Sequence, residues 1–233
     1  MELLIFDVRA SVAHYRRPDT TSTHSTYPFI PRTALRGLLA SIMGLETWPD
    51  DGWTGLELLH PVQTRVQQLS LLGKGFLESD KSFNRPTTVE LVINPAYRVY
   101  YSGALIQDLT QRIRRHQATY HTYLGSAFAL AVPEFVDLVD GEPFGDIHEP
   151  FLIKGVVPDH VIASLEVSGG KRLFKRAGGM LYQAQPGRRF RGTINFIYEA
   201  KNRSFTIVMK ETSQERPVHF LKEPGCDSAV ALW

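Results

Sequence analysis

The run ELLIFDV, Glu2 to Val8, is apolar at almost every position, so a strand built from it has almost no polar face to turn toward water. It reads as a strand buried on both faces or central in a sheet. The second constraint is PRTALRGLLASIMG, Pro31 to Gly44. Proline suits the first turn of a helix, Leu35, Leu38, Leu39 and Ile42 repeat at the spacing of a buried stripe, and Gly44 stops it. Yet Arg32 and Arg36 sit one turn apart on that same helix, followed by Gly37.

Between these two elements, Ser11 to Thr26 is rich in Thr, Ser, His and Arg and reads as an exposed loop. After the helix comes a loop holding Trp48, Pro49, Gly52, Trp53 and Gly55. VQTRVQQLSLLG then alternates as a second strand. TTVELVINPAYRVYY gives a third, kinked at Asn94-Pro95. The polar insert Lys74 to Pro86 between those strands has the character of a protruding hairpin. Ala104 to Gln117 reads as a helix with Ile106, Leu109 and Ile113 inward and Arg112, Arg114 and Arg115 largely outward. TYLGSAFALAV, ambiguous in composition, supplies a further strand.

The order β, α, β, β, α, β over residues 1–131 is the ferredoxin-like arrangement, an α+β class whose sheet RNA-recognition modules also use. Residues 132–233 form a smaller β-rich part. There, GTINFIYEAKNRSFTIVMK is two alternating strands around a Lys201-Asn202-Arg203 turn, and Pro186-Gly187 marks another turn.

At 233 residues the chain can bury a sizeable core, and a charged fraction of 21% speaks against disorder. No stretch approaches the roughly 20 apolar residues that cross a bilayer, and the start lacks a basic n-region, so a cytoplasmic protein without membrane contact is expected. The single cysteine, Cys226, cannot form an internal disulfide or supply a zinc site alone. No metal or cofactor is expected: the histidines are scattered, HExxH is absent, and neither GxxxxGKS/T nor GxGxxG occurs.

Charge is segregated along the chain more than its formal net of +2 suggests. Between Asp7 and Glu46 the only acid is Asp19, against Arg9, Arg16, Arg17, Arg32 and Arg36. Between Glu166 and Glu199 there is no acid, while Lys171, Arg172, Lys175, Arg176, Arg188, Arg189 and Arg191 accumulate. Such segregation builds a basic face of the kind that neutralises phosphates.

The short first strand, the HYRRP loop, YPFIPRTALRGLLASIMG, ELVINPAYRVYY and TYLGSAFALA, in that order over about the first 130 residues, resemble the Cas-five family of CRISPR-associated proteins in the RAMP superfamily. The most specific part is Pro31, Thr33, Ala34, Leu35, Gly37 and Leu38. The resemblance implies a non-catalytic subunit of a type I surveillance complex (Cascade), in antiviral defence or RNA-guided targeting. It would hold the 5′ handle of the CRISPR RNA, cap the complex, contact its backbone and large subunits, and meet target DNA indirectly. It also implies a thumb-like hairpin bearing on the RNA, placed at the insert with Lys74, Lys81, Phe83 and Arg85.

Single-stranded RNA is gripped by Arg and Lys on phosphates, by backbone N–H groups at glycines and by stacking aromatics. On these grounds the RNA-binding candidates are Tyr15, Arg16, Arg17, Arg32, Thr33, Arg36, Gly37, Lys171, Arg172, Lys175 and Arg176. For Arg32 and Arg36 a solvated helix face is the alternative. GGKRLFKRAGG, Gly169 to Gly179, is either a glycine-rich phosphate cradle or a hairpin with a basic tip. His116, Tyr120 and His121 are surface groups, or the acid and base of a metal-independent endoribonuclease like the branch of the family that processes precursor RNA. Where that branch is expected to carry a tyrosine, this chain reads Ser41-Ile42-Met43.

Overall fold

The computed structural model describes residues 1–20, 22–74, 82–144, 149–167, 172–187, 189–210 and 216–233. Its first part runs β1 (Glu2–Arg9), β2 (Val12–Ala13), β3 (Thr23–His24), α1 (Arg32–Met43), β4 (Gly52–Leu58), β5 (Thr64–Lys74), β6 (Ser82–Ile93), β7 (Ala96–Gly103), α2 (Ile106–Arg114) and β8 (Val132–Asp140). Then follow β9 (Glu142–Pro143), β10 (Phe151–Lys154), β11 (Val156–Pro158), β12 (Ile162–Leu165), β13 (Phe174–Gln185), β14 (Arg189–Glu199), β15 (Phe205–Met209), β16 (His219–Lys222) and β17 (Ala229–Leu232). The fold is mixed α+β and strand-rich, with two α-helices among the described residues.

The main sheet runs β12-β15-β10-β17-β4-β7-β1-β8. β1 is held between β7 and β8, antiparallel to both, and is buried on both faces as its composition requires. Leu4, Phe6 and Val8 join the larger core with Leu35, Leu38, Leu39 and Ile42 of α1 and Leu109 and Ile113 of α2. Leu3 and Ile5 point the other way, into a smaller cluster with Tyr100, Leu221, Val230 and Leu232. Gly44 ends α1 in the left-handed region at φ 75°, its N–H returning to the Ala40 carbonyl. The sheet is continuous across position 131, because β8 pairs with β1 and strands from the C-terminal part extend the far edge.

Three sequence expectations shift. The sheet strand after α1 is β4, from the stretch expected to be a loop. A Cβ at Gly55 would fall 2.6 Å from Leu232 Cδ2 and 2.8 Å from the Ala231 carbonyl, so the glycine is there to admit β17. VQTRVQQLSLLG instead becomes β5, which pairs with β6 in register from Thr64↔Val92 to Lys74↔Ser82. The hairpin is therefore far longer than Lys74 to Pro86. β6 and β7 separate at Asn94, whose φ is 47°. TYLGSAFALAV folds back on itself with a single bridge, Tyr123↔Leu130, and the strand expected there is β8.

β13 and β14 form a second hairpin, joined by the expected turn with Gly187 at φ 74°, and β11 adds to its edge. β14 and β15 flank Asn202, at φ 56°, yet pair with different neighbours rather than with each other. Glu199 fastens that corner: its carboxylate accepts from the N–H groups of Leu173, Lys201 and Arg203 and from the Arg203 guanidinium. Burial alone would push this carboxyl up, but those donors bring it down to about 2. Among the described residues, no helix is long and apolar enough to cross a membrane.

Candidate nucleic-acid interface

The two arginines of α1 do not face solvent. Arg32 is 5% exposed, donates from Nη1 to the Tyr182 carbonyl at 2.8 Å, and lies over the Tyr182 ring at 4.3 Å. Burial, then the neighbouring Arg36 charge, bring its guanidinium down to about 10. Arg36, 8% exposed, donates to Asp50 Oδ1 at 2.6 Å and to the Gly52 carbonyl at 3.2 Å. Together they clamp α1 to β13 and to the loop before β4. Neither arginine is presented to solvent as the expected RNA contact requires, because Tyr182 and Asp50, which the sequence does not place there, close over them. Tyr15, expected to stack on a base, is likewise turned inward: it is 3% exposed and packs in the larger core.

The other expected residues spread over two surfaces. On one side, Arg17, Tyr27, Glu90, Lys175, Arg176 and Gly178 line a cleft of about 280 Å³. The Tyr27 hydroxyl donates to the Gly179 carbonyl at 2.6 Å, within a β13 bulge. Phe174 to Gly179 of GGKRLFKRAGG is strand, and of its described basic residues Arg172 and Arg176 are engaged while Lys175 is not. Arg17 chelates Asp19 through Nε at 3.1 Å and Nη2 at 2.8 Å, and Arg176 pairs with Asp159 at 2.8 Å. Arg172 donates to the Ser204 carbonyl. Lys175 is exposed and has no acidic partner among the described residues. Thr33 is half-buried; Gly37 is exposed, with open space where a side chain would stand. Lys171 and Lys81 lie outside the described residues, as does the side chain of Lys74.

On the other side, β5 and β6 sort their residues by the two-residue period of a strand. Arg65↔Leu91, Gln67↔Val89, Leu69↔Thr87, Leu71↔Arg85 and Gly73↔Phe83 share one face. Val66↔Glu90, Gln68↔Thr88, Ser70↔Pro86 and Leu72↔Asn84 share the opposite one. Among the described residues, the first face carries both arginines and no acid. Arg65 and Arg85 are exposed there without an acidic partner among the described residues. Phe83 is 49% exposed, its ring lying across Gly73, where a Cβ would come within 3.0 Å of Phe83 Cζ. Exposed Arg16 stands at the base of this face, bridged to Thr26 and near His14 and His24. Arg65, His14 and His24 were missed in the sequence, although the alternation of β5 and β6 holds the signal for Arg65.

A separate cleft of about 690 Å³ lies where α2 gives way to the connection toward β8. His116, Tyr120 and His121 line it together, with Arg9, Ile42 and Glu134. Arg9 donates to Glu134 at 3.3 Å. His116 adopts a left-handed backbone at φ 52°.

Residues 3–166 match the family model described as CRISPR-associated protein (Cas_Cas5), and the chain belongs to that family. A CRISPR protein from Archaeoglobus fulgidus is similar in structure, with a TM-score of 0.56 and 11% identity over 99% of each chain. A chain of a CRISPR RNA-guided surveillance complex is similar at a TM-score of 0.54 and 10% identity, over 89% of this chain and 91% of the other. At such identities these likenesses concern the fold. A search of curated proteins by sequence finds no match.

Proposed function

We propose that the chain is a non-catalytic RNA-binding subunit of a CRISPR RNA-guided complex of the type I (Cascade) kind. It holds the 5′ handle of the guide RNA and caps the assembly beside its backbone and large subunits. The observation that carries this is one face of the β5–β6 hairpin that holds no acid among the described residues, with Arg65 and Arg85 on it and Arg16 at its base exposed to meet phosphates and Phe83 exposed to stack on a base. Family membership and the resemblance to a surveillance-complex chain support the same reading. The unit β1-α1-β4-β7-α2-β8 is read as ferredoxin-like; the order β4-β7-β1-β8, with both helices packed on the Leu4–Phe6–Val8 face, supports it.

A second reading, a metal-independent endoribonuclease acting on precursor RNA, is favoured by the convergence of His116, Tyr120 and His121 in one cleft. The end of α1, where the cleaving branch is expected to carry a tyrosine, reads Ser41-Ile42-Met43, and Ile42 lines that cleft, which weighs toward holding rather than cutting. Labelled repeat RNA incubated with the protein in EDTA is expected to be bound and to stay intact. A discrete cut that disappears in His116→Ala would overturn the non-catalytic assignment.

A further inference from the structure

A stacked histidine pair sits at the base of the hairpin. The rings of His14 and His24 have centroids 6.3 Å apart and planes inclined by 21°. His14 Nδ1 lies 2.8 Å from the Glu90 carbonyl, so that nitrogen carries the proton and Nε2 keeps its lone pair. His14 is 7% exposed and its Nε2 has no hydrogen-bond partner among the described residues, so it is a poor place for a second proton. His24 is different: it is half-exposed and pairs with Val89 in the β3–β6 ladder, on the face that carries Arg85.

The charges around His24 are of one sign. Arg16 approaches from the loop before β3, Arg85 from β6 and His14 from the loop after β2. Of the nearby acids among the described residues, Glu90 belongs to the opposite hairpin face, where Oε2 accepts the Thr26 N–H at 3.1 Å, and Asp19 is held by Arg17 at 2.8 Å. Burial first, then Arg16, His14 and Arg85, hold His24 below the ordinary histidine range. At neutral pH the free protein therefore presents two guanidinium groups, neither paired with an acid among the described residues, around an uncharged imidazole.

An anion entering between them reverses that balance. It offsets the field of the two arginines and offers an acceptor to a charged imidazole N–H, so the histidine gains a proton where it previously resisted one. We propose that Arg16, His24 and Arg85 form a phosphodiester-binding site for the guide RNA that takes up one solvent proton, onto the His24 ring, as it fills. The site rests on the RNA-holding reading and adds proton linkage to it.

The sign of the linkage fixes the test. Binding raises the His24 pKa, so affinity is level at high pH, climbs as pH falls by at most about tenfold per unit for one proton, and levels again once the free histidine titrates. RNA with a 5′-hydroxyl end, which has no terminal phosphate to titrate, is expected to bind about fivefold tighter at pH 6.0 than at pH 8.0 at fixed ionic strength. His24→Gln, and independently His24→Asn, should show no acid gain: the ratio of affinity at pH 6.0 to that at pH 8.0 falls to about one, whatever the affinity at pH 8.0. A gain that survives in both variants overturns the site. So does RNA binding without any gain in wild type, which leaves the RNA-holding reading intact. Absence of RNA binding at both pH values overturns both. Inorganic phosphate is the control ligand: if millimolar phosphate alone moves the His24 ring resonances as far as RNA does, the site is one for free phosphate and the assignment to RNA fails.

Discussion

Replacing Arg16 and Arg85 together by glutamate is expected to weaken binding of single-stranded repeat RNA by about a hundredfold at low salt while the protein stays folded. Both side chains are exposed and neither has an acidic partner among the described residues, so the exchange breaks no internal ion pair. The effect must be electrostatic, and its signature is a change in salt dependence. Each phosphate left unneutralised on a single strand takes about 0.7 from the slope of log affinity against log salt, so the double variant should flatten it by about 1.4. Arg115→Glu, just past the end of α2 and next to His116, is the control and should change affinity less than about twofold. A double variant that binds with wild-type affinity and slope would remove the hairpin base from the RNA path.

The second large effect concerns stability. Trp233→Ala is expected to cost about 3–5 kcal/mol, a substantial share of the roughly 5–15 kcal/mol that holds an ordinary domain together. Trp233 is 1% exposed and packs against Phe196 at 4.9 Å. Its backbone N–H donates to the Thr54 carbonyl at 2.9 Å, and its carbonyl accepts from the Thr54 N–H at 3.1 Å. These bonds continue β17, which lies between β10 and β4 and so joins the C-terminal strands to those around β1. Urea unfolding followed by circular dichroism measures the destabilisation as a lower midpoint at similar slope. A cost below about 1 kcal/mol would mean that the ring supports only a local corner.

What could be read in the sequence is what is decided within a few residues. The stripe of α1, the inward face of α2 and the doubly buried β1 follow from local periodicity, and all three stand in the structure. β4 was hidden because Gly55 reads as a loop residue until β17, far along the chain, is seen to pass over it. The burial of Arg32 and Arg36 was hidden for the same reason: Tyr182 and Asp50 cap them from distant or irregular segments. In the hairpin, both faces of β5 are largely exposed, so no hydrophobic alternation distinguishes a protruding arm from a sheet strand. Of the expected RNA-facing residues, Arg16, Arg85 and Phe83 come together on one surface; Arg17, Lys175 and Arg176 come together on another, where two of the three are paired with acids.

The central claim is that RNA lies along the hairpin face that carries Arg65, Phe83 and Arg85, and site-specific crosslinking tests it most directly. Repeat RNA carrying 4-thiouridine through its handle would be irradiated with the protein, and the attached peptides identified by mass spectrometry. The account requires crosslinks in residues 14–27 and 65–91, with Phe83 foremost. Crosslinks confined to residues 116–134, around His116 and Tyr120, would contradict it and place the RNA in the cleft beside α2.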